Sequence, residues 1–186
     1  FFSRGVKILS FFAFSTENWN RQPAEVNYLM KLLENAVATD WRELAKKNGY
    51  KILISGRIEE LPGDLPAECL DIMQETKVNN RGFVNVCLNY GGRAEIVDAV
   101  RKMIKNKVEL GQAHEGILKK YLYQPDLPDP DIIVRTSGEE RLSGFLTWQS
   151  VYSELFFMKK YWPDFEESDA EVVLKEYVER KRNFGG

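Results

Sequence analysis

Residues 6–44 read VKILSFFAF STENWNR QPAEVNYLMKLLENAVATDWREL, and this stretch decides the fold. Its first nine residues, Val6–Phe14, form a mostly apolar run that is typical of a strand buried on both faces. After a polar loop, apolar residues recur every three or four positions and therefore share one face of a long helix. These residues are Val26, Leu29, Met30, Leu33, Val37, Trp41 and Leu44. The stretch predicts a buried strand, a polar loop and a long helix.

Further apolar runs and helical patterns alternate along the chain. The other predicted strands are Tyr50–Ser55, Phe83–Tyr90, Asp131–Arg135 and Glu154–Met158. Further helices are predicted over Ala94–Val108 and from Ser168, where Glu171 completes a capping box, to about Arg182. This alternation predicts an α/β fold with a mainly parallel central sheet flanked by helices. No repeat or change of composition divides the chain, so residues 1–186 are predicted to form one domain.

Composition and charge exclude several classes of protein. The 186 residues are 44% hydrophobic and 29% charged, which is ordinary for a globular protein. The formal net charge is −2, whereas a nucleic-acid-binding domain is expected to be basic, so no nucleic-acid partner is predicted. No apolar run approaches the roughly 20 residues of a membrane helix. Cys69 and Cys87 lie far apart in the sequence, which predicts buried, reduced thiols in a reducing compartment.

The first predicted strand ends in a dense polar loop, residues 15–21, which read STENWNR. In open α/β sheets, ligands bind beyond the carboxyl ends of the strands. The loop begins with two hydroxyl residues, Asn18 adds an amide, and Arg21 adds a guanidinium fork that matches phosphate oxygens. The same sequence suits a capped loop in which Ser15 or Asn18 bonds the backbone and Trp19 packs. Both interpretations stay open at this point.

The fourth predicted strand ends in a second polar loop, residues 135–143, which read RTSGEERLS. Two arginines and three hydroxyl residues suit a bound phosphate or diphosphate, and Gly138 would let backbone N–H groups approach it. The alternative is a solvated loop in which Arg135 and Arg141 pair with the two glutamates between them. A basic residue that ends a buried strand is costly without an anion, so the pattern favours a ligand.

Glu154 lies between the mostly apolar stretches Trp148–Tyr152 and Leu155–Phe157. A carboxylate in this setting needs an arginine or a metal ion as its partner. Carboxylates combined with substrate phosphates and water suit Mg²⁺. The sequence contains no G-x-x-x-x-G-K-[ST] loop, no G-x-G-x-x-G loop and no D-D-x-x-D cluster. Ordinary nucleotide-binding loops and aspartate-rich metal clusters are therefore excluded.

Four ordered blocks of the sequence resemble the cis-prenyltransferases, the family of undecaprenyl and dehydrodolichyl diphosphate synthases. The resemblance extends from about Gly5 to Gly186, which is essentially the whole chain. The blocks read FAFSTENWNR (12–21) with EV (25–26), LNYGGR (88–93), PDPD (128–131) with RTSGE and RLS (135–139 and 141–143), and WQ (148–149) through Tyr152 and Glu154 to WPDF (162–165). Blocks of this length in this order are highly specific.

The resemblance implies a role for each matching position. Asn18 matches the asparagine to which the family assigns proton removal, where a neutral amide would position the substrate while a diphosphate oxygen takes the proton. Arg135, Arg141 and Ser143 match positions that hold the diphosphate of isopentenyl diphosphate, and Glu154 matches a glutamate that helps to bind Mg²⁺. All implied substrate-binding residues are Phe14, Ser15, Thr16, Glu17, Trp19, Arg21, Arg135, Arg141, Leu142 and Ser143.

The implied reaction is the condensation of isopentenyl diphosphate with an allylic prenyl diphosphate, such as farnesyl diphosphate, to form a cis-polyprenyl diphosphate. Mg²⁺ is the implied cofactor. The growing chain needs an apolar tunnel, and the helix with Leu29, Met30, Leu33 and Val37 is implied as one wall, with plain core packing as the alternative. The resemblance also implies a cytoplasmic homodimer that associates with membranes through its product, or a plastid or endoplasmic-reticulum location in a eukaryote.

Three departures from the family pattern limit these expectations. The Asp-Gly-Asn block that precedes Phe1 in the family order is absent, so the chain as given is expected to be inactive. Gly144 stands where asparagine is usual, and Asn183 where arginine is usual before Phe-Gly-Gly, which weakens the expectation of a contact with a partner subunit's site. The alternative function is a non-catalytic partner subunit, although such subunits tend to lose the arginine motifs at 135–143.

Overall fold

The computed structural model describes residues 1–180, which divide between two compact units. The N-terminal unit is Phe2–Leu127, and the C-terminal unit is the chain from Pro128 onward together with Phe1. That residues 1–186 form a single domain stays a prediction.

A parallel sheet forms the centre of the N-terminal unit. Within residues 2–127 it has three strands, in the order β1 (Ile8–Ser15), β3 (Gly82–Tyr90), β2 (Tyr50–Ser55). The central strand β3 is buried along almost its whole length because both of its faces are covered. These strands confirm the predicted apolar runs, although β1 begins two residues later than predicted and includes Ser15.

The helices of the N-terminal unit cover this sheet. They are α1 (Pro23–Asn35), α2 (Trp41–Asn48), α3 (Leu65–Glu75), α4 (Gly92–Lys105) and α5 (Glu115–Lys119). The long helix predicted from Val26 onward is α1 and α2 joined by a π-helical turn, Ala36–Asp40. Met30 is 4% exposed and Val37 is fully buried in the core, so the core-packing interpretation is correct for these two side chains.

The C-terminal unit has a smaller parallel pair of strands and a helix. Strands β4 (Ile132–Arg135) and β5 (Glu154–Phe157) confirm the last two predicted runs, and α6 spans Glu167–Glu179. The predicted Ser168–Glu171 capping box is wrong, because the helix begins earlier and its box is formed by Glu166 and Asp169. The Glu166 N–H donates to the Asp169 carboxylate at 2.7 Å. The predicted end near Arg182 lies outside the described residues.

Parallel strands joined through helices confirm the predicted α/β fold with a parallel sheet flanked by helices. Cys69 and Cys87 are buried free thiols, as predicted, and burial raises the pKa of Cys69 to about 12. None of the helices within residues 1–180 is long and apolar enough to cross a membrane.

Candidate functional site

The loop after β1 is a short 3₁₀ helix, Thr16–Asn20, held at its start by Asn18. The Asn18 Oδ1 atom accepts a hydrogen bond from the Ser15 backbone N–H at 2.8 Å. The predicted capped loop is therefore present. Because its carbonyl oxygen is engaged, Asn18 offers its NH₂ group as a donor, which suits holding an oxygen atom and does not suit removing a proton.

Trp19 lies across the end of the sheet, above Phe14. The two rings meet edge to face, with centroids 5.1 Å apart and planes at 73°. Phe14 is 1% exposed and belongs to the hydrophobic core, whereas Trp19 is 38% exposed. Trp19 is thus accessible to a ligand, and the buried ring of Phe14 lies beneath it and supports it.

The remaining polar residues of this loop face outward or pack on β3. Thr16 is half-buried against Gly91, where an added Cβ would lie 2.5 Å from the Thr16 hydroxyl oxygen. Arg21 pairs with Glu25 one helical turn later at 2.7 Å, with both side chains 48% exposed. Glu17 is exposed. An exposed pair of this kind is weak, so a phosphate can replace Glu25 as the partner of Arg21.

The loop after β4 is fixed by hydrogen bonds to the residues that follow β5. Ser137 N–H donates to the Lys160 carbonyl and Gly138 N–H to the Met158 carbonyl, both at 2.8 Å. The Gly138 N–H is thus engaged within the protein, and the approach of other backbone N–H groups of the loop to a phosphate stays a prediction. The N–H groups of Ser137 and Gly138 are therefore not available to an anion at this loop.

Several residues of the same loop have left-handed backbone conformations. The φ angle is 76° at Ser137, 49° at Ser143 and 80° at Gly144. Glycine and asparagine are the residues that tolerate this conformation best. Gly144 in place of the usual asparagine is therefore a change that preserves the backbone.

The two arginines of this loop have different surroundings. Arg141 is 64% exposed and forms an ion pair with Glu139. Arg135 ends β4, is half-buried, and makes no ion pair with any of residues 1–180. The solvated-loop alternative is thus correct for Arg141 and wrong for Arg135. Leu142 is half-buried and Ser143 exposed beside them.

Glu154, the candidate metal ligand, is bound by an arginine. Its Oε2 atom accepts from Arg180 Nη1 at 2.8 Å, and the Arg180 guanidinium lies 3.9 Å from the ring centre of Phe156. In the parallel register Glu154 pairs with Ile132 and Arg135 with Phe157. Glu154 and Arg135 are therefore at opposite ends of the strand pair, about 10 Å apart along it.

A magnesium ion fits the donor chemistry of Glu154 but needs other ligands. No group of three or more His, Cys, Asp or Glu residues suited to a metal occurs in the described part of the chain. Mg²⁺ commonly binds one or two carboxylates, with substrate phosphates and water completing its shell. Glu154 can serve as such a carboxylate once Arg180 has released it.

Sequence reasoning missed Asn89 as a site residue. Asn89 is 1% exposed, accepts a hydrogen bond from Trp19 Nε1 at 2.8 Å, and donates one to the Arg57 carbonyl at 2.9 Å. These partners are distant in the sequence, so no local pattern could reveal the contact. The local sequence Asn89-Tyr90-Gly91-Gly92 marks the end of a buried strand and does not identify these partners.

The parallel strands carry polar, arginine-containing loops at their carboxyl ends, which is where open α/β folds bind their ligands. The family model described as "Putative undecaprenyl diphosphate synthase" matches residues 1–185. The chain therefore belongs to the undecaprenyl diphosphate synthase family of cis-prenyltransferases, which are isoprenyl transferases.

Individual relatives agree with this assignment. An isoprenyl transferase of Fusobacterium nucleatum is 46% identical over 98% of this chain and 77% of its own length. A Micrococcus luteus synthase described as specific for (2E,6E)-farnesyl diphosphate is 42% identical over 98% of this chain and 74% of its own. A Pyrococcus furiosus synthase described as specific for geranylgeranyl diphosphate is 42% identical over 97% of this chain and 70% of its own.

Solved structures share the fold. A probable undecaprenyl diphosphate synthase from Campylobacter jejuni matches all of this chain and 86% of its own, with a TM-score of 0.90 and 31% identity. Lavandulyl diphosphate synthase from Lavandula x intermedia, in complex with dimethylallyl diphosphate, matches 99% of this chain and 81% of its own, with a TM-score of 0.92 and 30% identity.

Proposed function

We propose that this protein condenses isopentenyl diphosphate with an allylic prenyl diphosphate to form a cis-polyprenyl diphosphate. The observation that carries the proposal is Arg135, a half-buried guanidinium that ends a strand and pairs with no carboxylate among residues 1–180. A guanidinium in such a place gains most from an anion that it can grip with two hydrogen bonds. A diphosphate is the anion common to the substrates in the relatives' names.

In this proposal the loop after β4 holds the diphosphate of isopentenyl diphosphate. Arg135 grips the phosphate oxygens, Arg141 leaves Glu139 to add a second guanidinium, and the Ser143 hydroxyl donates a further hydrogen bond. Leu142, half-buried between them, keeps the loop packed. Because the backbone N–H groups of Ser137 and Gly138 are bonded elsewhere, these side chains are the main proposed contacts of the loop with the anion.

The loop after β1 would orient the reacting carbons. The double bond of isopentenyl diphosphate forms a new bond to the allylic carbon as the carbon–oxygen bond there breaks and the diphosphate leaves with its electron pair. Positive charge then develops at C3 of the isopentenyl unit, a proton leaves the adjacent C2 to form the new C2=C3 double bond, and a diphosphate oxygen accepts that proton. The Asn18 NH₂ group holds that oxygen in place, Trp19 covers the hydrocarbon, and Arg21 binds a phosphate.

Magnesium belongs to this proposal through Glu154. When bound, the ion would stabilise the negative charge that develops on the departing diphosphate. Glu154 would hold it together with phosphate oxygens and water, after release from Arg180. The choice of primer stays open because the relatives' names divide between farnesyl and geranylgeranyl diphosphate.

Assembly and location also stay predictions. A homodimer in the cytoplasm, associated with membranes through its product, remains the expectation. The non-catalytic subunit is disfavoured because Arg135 and Arg141 are both present beside Ser143.

Turnover with labelled substrate tests the proposal. The full-length protein is incubated with Mg²⁺, labelled isopentenyl diphosphate and, separately, farnesyl, geranylgeranyl and dimethylallyl diphosphate. We expect label in longer prenyl chains with at least one primer. No elongation with any primer would overturn the catalytic proposal, and elongation only after addition of a second subunit would favour the non-catalytic alternative.

A further inference from the structure

Strand β3 is irregular at its carboxyl end. Its register with β1 pairs Phe14 with Leu88 and then Ser15 with Tyr90, so Asn89 has no partner on β1. At Asn89 the φ angle is 47°, a left-handed conformation. Bulges of this kind re-aim a side chain, and asparagine is among the few residues other than glycine that adopt the conformation readily.

The re-aimed Asn89 side chain connects two loops at the end of the sheet. Its Oδ1 atom accepts from Trp19 Nε1 at 2.8 Å, and its Nδ2 atom donates to the Arg57 carbonyl at 2.9 Å. The Arg57 N–H returns a hydrogen bond to the Asn89 carbonyl at 3.2 Å. Both ends of the Asn89 amide are thus used, which fixes its orientation.

Arg57 provides a rigid base for this connection. It forms two hydrogen bonds to Asp98, at 2.7 and 3.0 Å, and Tyr123 donates to the same carboxylate at 2.7 Å. Gly56, just before it, approaches β3 so closely that an added Cβ would lie 1.9 Å from the Leu88 carbonyl oxygen. The segment that orients Asn89 therefore has little room to move.

We propose that Asn89 is a positioning residue that fixes the indole of Trp19, and through it the loop of residues 15–21, for prenyl transfer. The expected effect on kcat rests on the proposed function, whereas the hydrogen bond between Asn89 and Trp19 can be measured without turnover. Trp19 is 38% exposed, so its ring has room to turn away if the hydrogen bond to Asn89 is lost. A loop that is free to turn aligns the reacting carbons less often.

Asn89→Gly is the main test variant, because glycine accepts the left-handed backbone while it removes both side-chain hydrogen bonds. Asn89→Asp keeps an acceptor for Trp19 and replaces the donor to the Arg57 carbonyl with a carboxyl oxygen, which can donate there only when protonated. The matched control is Asn85→Ala. Asn85 lies on the same strand and is 2% exposed, but it bonds to Ser55 at 2.7 Å rather than to the loop.

The direct readout is the indole N–H signal of Trp19 in a ¹⁵N-correlated NMR spectrum of the full-length protein. The chain has four tryptophans, and Trp19→Phe identifies the signal. We expect Asn89→Gly to shift this signal and speed its exchange with water, while the control leaves it near its original place. An unchanged Trp19 signal in Asn89→Gly would overturn the proposal, whatever the turnover assay shows.

The kinetic readout is a double-variant cycle. We expect Asn89→Gly to lower kcat about ten- to a hundredfold at saturating substrates, with Asn89→Asp recovering only the part that depends on an acceptor for Trp19. In a Trp19→Phe background, Asn89→Gly should have less than about a threefold effect, because the contact is already broken. If the losses in kcat caused by Asn89→Gly and Trp19→Phe simply multiply in the double variant, Asn89 does not act through Trp19, and the proposal is refuted. A parent protein that elongates no primer, with the NMR result as expected, would refute the proposed function and leave the contact established.

Discussion

Arg180 and Glu154 form an ion pair at 2.8 Å in the C-terminal unit, and the same guanidinium stacks on the ring of Phe156. Glu154 is thereby satisfied without a metal ion. The pair is partly exposed, with side-chain exposures of 31% and 26%, so it can open at modest cost. A metal ion at Glu154 has to compete with Arg180.

This competition predicts the effect of Arg180→Gln on metal affinity. Removal of the guanidinium should lower the Mg²⁺ concentration for half-maximal binding about two- to fivefold. Calorimetric titration of Mg²⁺ in the presence of isopentenyl diphosphate measures it. Arg101→Gln, which alters a 69% exposed arginine on α4, is the control and should change nothing. Equal Mg²⁺ affinity in both variants and the parent would contradict the role of Glu154 as a ligand that Arg180 blocks.

The two arginines of the loop after β4 should differ in importance. Arg135→Ala is expected to raise the KM for isopentenyl diphosphate about ten- to a hundredfold, because a charge-assisted contact to the anion is lost at a half-buried site. Arg141→Ala should have a smaller effect, since Arg141 is 64% exposed and has to leave Glu139 first. Steady-state kinetics with a fixed primer measures both. A larger effect at Arg141 would refute the assignment of Arg135 as the main anchor.

Gly56 should tolerate no side chain. Its φ angle is 140°, and an added Cβ would lie 1.9 Å from the Leu88 carbonyl oxygen, so Gly56→Ala must move backbone. We expect a loss of more than about 3 kcal/mol in the free energy of unfolding. Gly111→Ala is the matched control, because nothing lies within 4 Å of its added Cβ. Urea unfolding compares the two, and a loss of under about 1 kcal/mol for Gly56→Ala would show that the strands are not this close.

Because of Asp98, the free energy of unfolding should depend on pH in the acidic range. Burial alone raises the pKa of this carboxyl, but hydrogen bonds from Arg57 and Tyr123 outweigh it and hold the pKa below its ordinary value of 3.8. The unfolded state therefore binds a proton more readily, and the stabilisation is present above about pH 4 and is lost as the pH falls through the folded-state pKa.

The comparison of Asp98→Asn with the parent protein tests this expectation. The variant should be less stable at pH 7, and the difference in unfolding free energy should shrink as the pH falls below about 4 and Asp98 becomes protonated in the parent. Urea unfolding at several pH values gives the difference. A constant difference across this range would mean that the charge of Asp98 does not contribute.

The strands could be predicted from the sequence because each is a distinct apolar run. β2 was predicted to the residue, and the ends of β3, β4 and β5 to within one. Helix α3 was missed, although Leu65, Cys69 and Ile72 have helical spacing and are buried. The capping box of α6 was misplaced because both acidic and hydroxyl residues at its start can accept hydrogen bonds.

The site residues could be named from the sequence, but their partners could not. Nothing local to Glu154 indicates that Arg180 binds it, and nothing local to Trp19 indicates Asn89, 70 positions away. The acceptor of the Gly138 N–H could not be foreseen for the same reason, since it lies beyond β5. Contacts of this kind depend on how strands pair, which composition and spacing do not specify.

The geometry of the new double bond tests the central claim most directly. Product made by the full-length protein from isopentenyl diphosphate labelled with ¹³C and an all-trans allylic primer can be freed of phosphate and analysed by NMR. We expect a cis double bond in every added unit and a greatly reduced yield of product from Arg135→Ala. Trans double bonds in the added units, or an unchanged yield from Arg135→Ala, would contradict it.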